Sequence, residues 1–352
     1  MQTKILSATA ETIVEAGELL RRGELVAFPT ETVYGLGANA FDAAACAKIY
    51  QVKGRPSDNP LILHVAGRAM FDMAAAEVNE MATKIITAFC PGPLTLILPK
   101  AAGVPSAVTG NLPTVGVRWP SNDVACQMIQ AAGMPIAAPS ANLSGRPSPT
   151  TAAMTAEDLA GKIPLILDGG ATVVGLESTI VDCTTEIATI LRPGAITAEM
   201  LSEVTGEVRY DSGVSQTDAA PKAPGMKYRH YAPLAPLTVV IGEQNGSCEF
   251  WCALVQKWQS EGKCVGVLAD SKIISALQKD VPDNLLFDFG APGDLTAMAA
   301  KLYEGLRYFD TTAADFLLAQ GTINTGLGAA IMNRLLKAGG GKVITAGGNM
   351  QI

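Results

Sequence analysis

The chain has little of what most metal and hydrolase sites are built from. Only two histidines occur in 352 residues, His64 and His230, far apart in sequence, so a multi-histidine metal site is excluded. Seven cysteines are scattered and none forms a C-x-x-C pair; Cys248 and Cys252 share a helical face with no histidine near and are expected to pack in a core. No apolar run approaches the roughly 18 residues needed to span a bilayer. Met1 to Ala10 is polar and lacks the apolar stretch of a signal peptide. Reduced thiols, no membrane and a cytoplasmic location are the expectation. A formal charge of −7 argues against a chain whose main task is to grip a nucleic-acid backbone, so no stable nucleic-acid binding is expected. Aromatics make up 5% while Ala and Gly are plentiful, which suits helices packed closely on a sheet.

Several nucleotide and hydrolase signatures are also missing. Gly339-Gly340-Gly341-Lys342 is followed by Val343, and its spacing does not make a P-loop. Gly35-Leu36-Gly37 and Gly326-Leu327-Gly328 lack the third glycine of a dinucleotide fingerprint. No G-x-S-x-G elbow is present for a serine hydrolase.

The length suits two domains. Residues 9 to 22 read as an amphipathic helix stopped by Gly23. Strands are expected at Leu25–Phe28, Leu61–Val65, Leu94–Pro99, Val115–Arg118, Ile136–Ala138, Leu165–Asp168, Thr179–Asp182 and Ile190–Arg192. Helices are expected near 42–51, 79–89, 122–132 and 155–160. Without a regular βαβ beat, this pattern predicts a twisted, mixed α/β sheet. Composition changes at about Gly206, and Pro221, Pro224, Pro233 and Pro236 block regular structure up to residue 236. Beyond it, strands at Leu237–Ile241, Cys264–Ala269, Leu285–Phe289 and Phe316–Ala319 alternate with helices near 248–260, 294–309 and 327–338. That alternation predicts a smaller parallel-sheet, Rossmann-like α/β domain.

Polar residues at strand and loop ends then stand out. Lys53-Gly-Arg55-Pro-Ser57-Asp-Asn59-Pro60 puts two cations close together on a proline-stiffened segment, which suits an anion such as phosphate but also a solvated basic loop. Pro139 to Ser148, rich in hydroxyls and amides, follows the strand Ile136–Ala138, where open α/β sheets bind ligands; a Ser/Pro turn is the plainer reading. Pro29 to Gly37 follows another strand. His64 lies within a strand, where a lone histidine is more often a core residue. Lys53 with Arg55, Arg118 and Arg192 together place four cations on three separate segments, an arrangement that fits a polyanionic ligand.

These motifs carry a resemblance. F-P-T-E-T-V-Y-G-L-G at 28–37, K-G-R-P-S-D-N-P-L at 53–61, P-G-P-L-T at 91–95 and V-G-V-R-W-P at 115–120 resemble the YrdC-type family. So do A-P-S-A-N-L-S-G-R-P-S-P-T at 138–150, E-S-T-I-V at 177–181 and L-R-P-G at 191–194. P-G-M-K-Y-R-H-Y-A-P at 224–233 and G-L-G-A-A-I-M-N-R-L-L-K-A at 326–338 look like its two-domain form, the threonylcarbamoyl-AMP synthases. The resemblance implies a YrdC-like catalytic domain over 1–205, a Pro-rich linker and active-site lid over 206–236, and a C-terminal α/β domain over 237–352. It implies synthesis of threonylcarbamoyl-AMP from L-threonine, bicarbonate and ATP, with release of pyrophosphate and with Mg²⁺ accompanying ATP. The product would pass to a separate tRNA threonylcarbamoyl transferase complex that modifies adenosine 37 of tRNAs reading ANN codons.

By matching position, the resemblance assigns Lys53, Arg55, Asn59, Ser140, Ser148 and Arg192 to ATP, with Tyr231 closing over the nucleotide. Thr32, His64, Arg118 and Ser178 fall to threonine, with orienting the substrate the preferred role of His64 and a role as base the alternative. Thr114 and Ala138 line the seam between the two ligands. Related carbamoyl-transfer enzymes of hydrogenase maturation carry an acylphosphatase segment and C-x-x-C zinc fingers, both lacking here. A non-catalytic RNA-binding module is the alternative from another class.

Overall fold

The computed structural model describes residues 2–211, 221–224, 230–242 and 246–346. The chain forms two compact units: Met1–Ser144 with Ser148–Tyr228, and Gly145–Pro147 with Arg229–Ile352. Much of the predicted lid, at 212–220 and 225–229, lies outside the described residues.

The strands of unit 1 are β1 (Lys4–Ser7), β2 (Val26–Phe28), β3 (Gly35–Asn39), β4 (Ile62–His64), β5 (Leu94–Pro99), β6 (Thr114–Arg118), β7 (Ile136–Ala138), β8 (Leu165–Asp168), β9 (Thr179–Asp182), β10 (Ala188–Arg192) and β11 (Val208–Tyr210). They make one sheet in the order β1-β8-β2-β3-β7-β4-β6-β5-β9-β10-β11. Parallel and antiparallel pairs mix, as the interleaved pattern predicts. Its helices are α1 (Ala10–Arg21), α2 (Ala43–Lys53), α3 (Arg68–Ala74), α4 (Glu80–Phe89), α5 (Asp123–Ala132), α6 (Ala152–Leu159) and α7 (Ala198–Thr205).

Strand alternation decides which residues face the main core. Leu94, Leu96 and Leu98 of β5, Val115 and Val117 of β6, Leu63 of β4 and Val181 of β9 join one large apolar cluster. On the opposite face, Val26, Phe28, Ile136, Ala138, Leu165 and Leu167 are covered by Ile13, Ala16 and Leu20 of α1 and by Ala125, Met128 and Ile129 of α5. Helix α1 starts at a reciprocal cap: Thr12 N–H donates to Thr9 Oγ1 and Thr9 N–H to Thr12 Oγ1. Gly17 lets α5 approach, since a Cβ there would stand 2.8 Å from the Ala131 backbone. This cover extends over β1, β8, β2, β3 and β7; beyond β7 the same face carries polar side chains together with Ile62, Ile97 and Ile180.

Unit 2 contains β12 (Leu237–Ile241), β13 (Val265–Ala269), β14 (Leu286–Asp288), β15 (Phe316–Gln320) and β16 (Val343–Thr345), with α8 (Cys248–Ser260), α9 (Ser271–Leu277), α10 (Leu295–Tyr308) and α11 (Gly326–Ala338). The sheet is wholly parallel, in the order β14-β13-β15-β12-β16. A cleft of about 340 Å³ at the strands' carboxyl ends includes Asp270, Lys272, Gln320 and Thr322 in its lining. Gly328 is a packing glycine, because a Cβ there would meet the Ile323 carbonyl at 2.2 Å.

The sequence pattern misses β1, β3, β11, β16, α3, α7 and α9. Strand β3 reads Gly-Leu-Gly-Ala-Asn, poor in strand formers. Its glycines are needed because the Phe28 ring lies against them: a Cβ at Gly35 would stand 3.0 Å from the ring, and one at Gly37 would stand 2.8 Å from Ile136 Cγ2 and 3.0 Å from the ring. Val208–Tyr210, inside the segment expected to be irregular, pairs in parallel with β10 because the prolines begin only at Pro221. Gly37→Ala is expected to destabilise the protein by about 1–3 kcal/mol through overpacking. A lower urea midpoint at unchanged slope checks this, and an unchanged midpoint would contradict the packing role.

Candidate active site

Beyond the cover of α1 and α5, the sheet face places three of the expected site residues, His64, Arg118 and Arg192, in one row. His64 on β4 is the lateral partner of Arg118 on β6, and Arg118 of Thr95 on β5. Thr95 then pairs with Ile180 on β9, and Ile180 with Arg192 on β10. Laterally paired residues point to the same face, so these five side chains share it. Thr114 lies on that face of β6 by alternation, and Ala138 of β7 is paired with Ile62 two residues before His64. Arg192 reaches the row through an irregularity: the register slips by one residue between Ile190 and Arg192. Regular alternation from Ile190, which sits in the main core, would turn Arg192 to the wrong side.

Burial forces these polar groups to pair with one another. Arg192 donates from Nε to the Ser178 carbonyl at 3.0 Å and from Nη2 to Ser178 Oγ at 3.1 Å. Ser178 Oγ lies 2.8 Å from Thr95 Oγ1. Arg118 Nη2 stands 2.9 Å from Glu31 Oε1, both side chains buried, and 3.4 Å from Thr30 Oγ1. Thr30 and Thr32 hydroxyls are 2.9 Å apart.

A second group of contacts ties the loops at the edge. Helix α2 ends at Gly54, in the left-handed region at φ 61°, and delivers Lys53 at its last turn. The Lys53 ammonium donates to the carbonyls of Ser140 and Asn142. Arg55 folds onto its own loop, donating to the carbonyls of Asn59 at 3.2 Å and Pro60 at 2.9 Å. Buried Asn59 keeps its side-chain Oδ1 without a hydrogen-bond partner among the described residues. Ser140 Oγ donates to Asn142 Oδ1, and Ser148 Oγ donates to Glu177 Oε1 at 2.6 Å. The 139–149 loop is strapped to 34–36 by Leu36 N–H to Pro139 O, Ala141 N–H to Tyr34 O and Tyr34 N–H to Pro149 O.

Unit 1 therefore gathers Thr32, Lys53, Arg55, Asn59, His64, Thr114, Arg118, Ala138, Ser140, Ser148, Ser178 and Arg192. Tyr231 belongs to unit 2, where it stacks on Tyr303 at 5.2 Å and lies 5.8 Å from the Arg334 guanidinium. Thr30, Glu31, Asn142 and Glu177 lie in segments that the sequence singles out without giving these residues a role, and Thr95 is a further member that residue-type reasoning missed. Thr95 had a signal, being the polar position between core leucines in Leu94-Thr95-Leu96. Glu31 and Glu177 are acids within otherwise uncharged strand-end motifs. Among the described residues no three His, Cys, Asp or Glu side chains converge to hold a metal ion.

His64 is fully enclosed, with Nδ1 3.2 Å from the Ile62 carbonyl and its ring edge-on to Phe28 at 5.9 Å. Burial, helped by the Arg118 charge, pushes its pKa down to about 3, so the ring is neutral and a weak base at neutral pH. An unfolded histidine titrates near 6.5. Between those values the unfolded chain binds the extra proton, so this stabilisation is full above the unfolded pKa and is lost as pH falls through the window. Its slope approaches about 1.4 kcal/mol per pH unit. Stability should therefore drop more from pH 7 to about pH 4.5 in the parent protein than in His64→Gln, as read from urea midpoints; parallel losses would contradict a neutral buried ring.

Known proteins resemble this chain over nearly its whole length. A family described as "Telomere recombination" matches residues 18–194, and "Threonylcarbamoyl-AMP synthase, C-terminal domain" matches 196–340. The threonylcarbamoyl-AMP synthase of Bacillus subtilis is 46% identical over 97% of each chain, and that of Pyrococcus abyssi is 46% identical over 94% of each. The crystal structure of P. abyssi Sua5 complexed with L-threonine superimposes with a TM-score of 0.91 at 44% identity, covering 98% of this chain and 100% of that one. Escherichia coli YciO, at 24% identity and a TM-score of 0.51, shares the fold over 55% of this chain. Near-complete coverage by both families and by relatives of one activity shows that the chain is an enzyme belonging to the two-domain threonylcarbamoyl-AMP synthase family.

Proposed function

We propose that unit 1 condenses L-threonine with bicarbonate and then adenylates the resulting carbamate with ATP, releasing pyrophosphate. The observation that carries this reading is the buried row His64–Arg118–Thr95–Ile180–Arg192, which offers cations and neutral hydrogen-bonding groups side by side on one sheet face. Arg118 would take the threonine carboxylate, with Thr32, Ser178 and neutral His64 shaping the rest of that pocket. The carbamate oxygen would attack the α-phosphate of ATP, and pyrophosphate would leave. Arg192, Arg55 and Lys53 would oppose the charge that develops on the phosphate oxygens, an effect that strengthens where water is excluded. Because Lys53 also ties Ser140 to Asn142, it would hold the nucleotide loop as well as supply charge. Asn59, Ser140 and Ser148 would bind the nucleotide, and Thr114 and Ala138 would border both ligands.

Mg²⁺ enters this reading as the partner of ATP, held by phosphates and water rather than by a carboxylate cage of the chain. Closure by the proline-rich segment is supported by its described part. Ala223 is buried against Ile62, Ile97 and Ile180 on the same sheet face, and Lys222 Nζ lies 3.2 Å from Asp182 Oδ2. Such a cover would shield the labile carbamate and adenylate from water. The product would go to a separate tRNA threonylcarbamoyl transferase acting on adenosine 37 of ANN-reading tRNAs, in the cytoplasm.

The purified protein should release pyrophosphate from ATP only when both L-threonine and bicarbonate are present. Binding of structured RNA without that release would overturn the reading in favour of a non-catalytic module. Arg55→Ala or Lys53→Ala should lower the rate by about 10²-fold or more, roughly 3 kcal/mol, the scale of a lost donor to a developing oxyanion. An unchanged rate in both variants would remove that segment from the site.

A further inference from the structure

The Arg118–Glu31 pair is more than a way of neutralising Arg118. Its nearest atoms are 2.9 Å apart, close enough to attract as charges, yet among the described residues no N–H is aimed well enough at either Glu31 oxygen to make a hydrogen bond. Arg118 Nε is likewise buried with no acceptor among them. A carboxylate with both oxygens unsatisfied beside a guanidinium with an unused N–H is costly to bury, and apolar side chains of similar size often cost less.

The backbone nonetheless holds Glu31 firmly in place. Thr30 Oγ1 donates to the Val33 carbonyl at 2.6 Å and accepts the N–H groups of Thr32 and Val33, and the Glu31 carbonyl accepts Val174 N–H at 2.8 Å. The turn thus presents one acid, unsatisfied, at the side of one base.

An α-amino acid carries opposite charges on a single carbon, its carboxylate and its ammonium. That headgroup is the complement of the open valences here. We propose that Glu31 receives the α-amino group of the substrate while Arg118 receives its carboxylate, so that the pair is a receptor for a zwitterion. This deepens the function proposed above and rests on its amino-acid substrate. Glu31 then selects against carboxylic acids that lack the amine and fixes the nitrogen that must meet bicarbonate. Thr30 and Thr32 hold the receptor's geometry.

Calorimetric titration, with neither ATP nor bicarbonate present, compares L-threonine with (R)-3-hydroxybutyrate, which keeps the carboxylate and hydroxyl and lacks the amine. The parent protein should bind threonine roughly tenfold or more tightly than the hydroxy acid, and Glu31→Gln should erase that preference by weakening threonine alone, as expected for loss of one charge-assisted hydrogen bond. Equal weakening of both ligands would overturn the proposal and leave Glu31 as a group that only orients Arg118. Threonine binding unaffected by Glu31→Gln would overturn it too. If Glu31→Gln does not fold, Glu31→Asp and the parent's own discrimination carry the test, and a parent that binds both ligands equally refutes it. A panel of other L-amino acids separates the two readings: a preferred amino acid other than threonine, lost with Glu31, would sink the threonine assignment and uphold the receptor.

Discussion

The reach of helices α1 and α5, which cover only part of one sheet face, is the constraint on which unit 1 depends. Helices α1 and α5 seal the face over β1, β8, β2, β3 and β7, and the strands beyond β7 continue it without those helices. Alternation sends leucines and valines of those outer strands to the opposite core and leaves their other positions open to polar residues. Burial favours pairing, so most side chains there bond to one another: Arg192 to Ser178, Ser178 to Thr95 and Arg118 to Thr30, with Glu31 beside Arg118 as its counter-charge. Fold and site are therefore two sides of the same strands.

Most of that architecture could be read from the sequence because period-two alternation is a strong signal. Leu94-Thr95-Leu96 and Val115-Gly116-Val117-Arg118 announce which residue types face the core. Strands β5, β7, β8, β9 and β12 have the boundaries that the pattern predicts. Strand β3 was illegible for a physical reason: its glycines serve the neighbouring Phe28 ring, and no local rule encodes a contact made by another strand. Short α3 and α9 lack the length over which helical periodicity becomes distinct.

The site was legible in part for similar reasons. Cations on separate segments suggested an anion, and the sheet register then brought Arg118 and Arg192 onto one face. What sequence could not give was pairing. Nothing in Pro29-Thr30-Glu31-Thr32 says that Glu31 meets Arg118, because that contact spans long-range strand order. Nor does a basic Lys53-Gly-Arg55 segment reveal that both side chains hold backbone carbonyls, Lys53 across to the 140–142 loop and Arg55 within its own turn. Those cations give the loops their shape as well as their charge.

The slipped register in β10 gives the domain a rule of parity. Leu191 is the extra residue that lets Ile190 belong to the main core while Arg192 joins the polar row. Counting along the strand, odd and even positions exchange faces at this one point. Substitutions in β10 keep that count whatever their chemistry, whereas removing or adding a single residue reverses it for everything downstream. The length of this strand, more than the identity of most of its side chains, decides which face Arg192 joins.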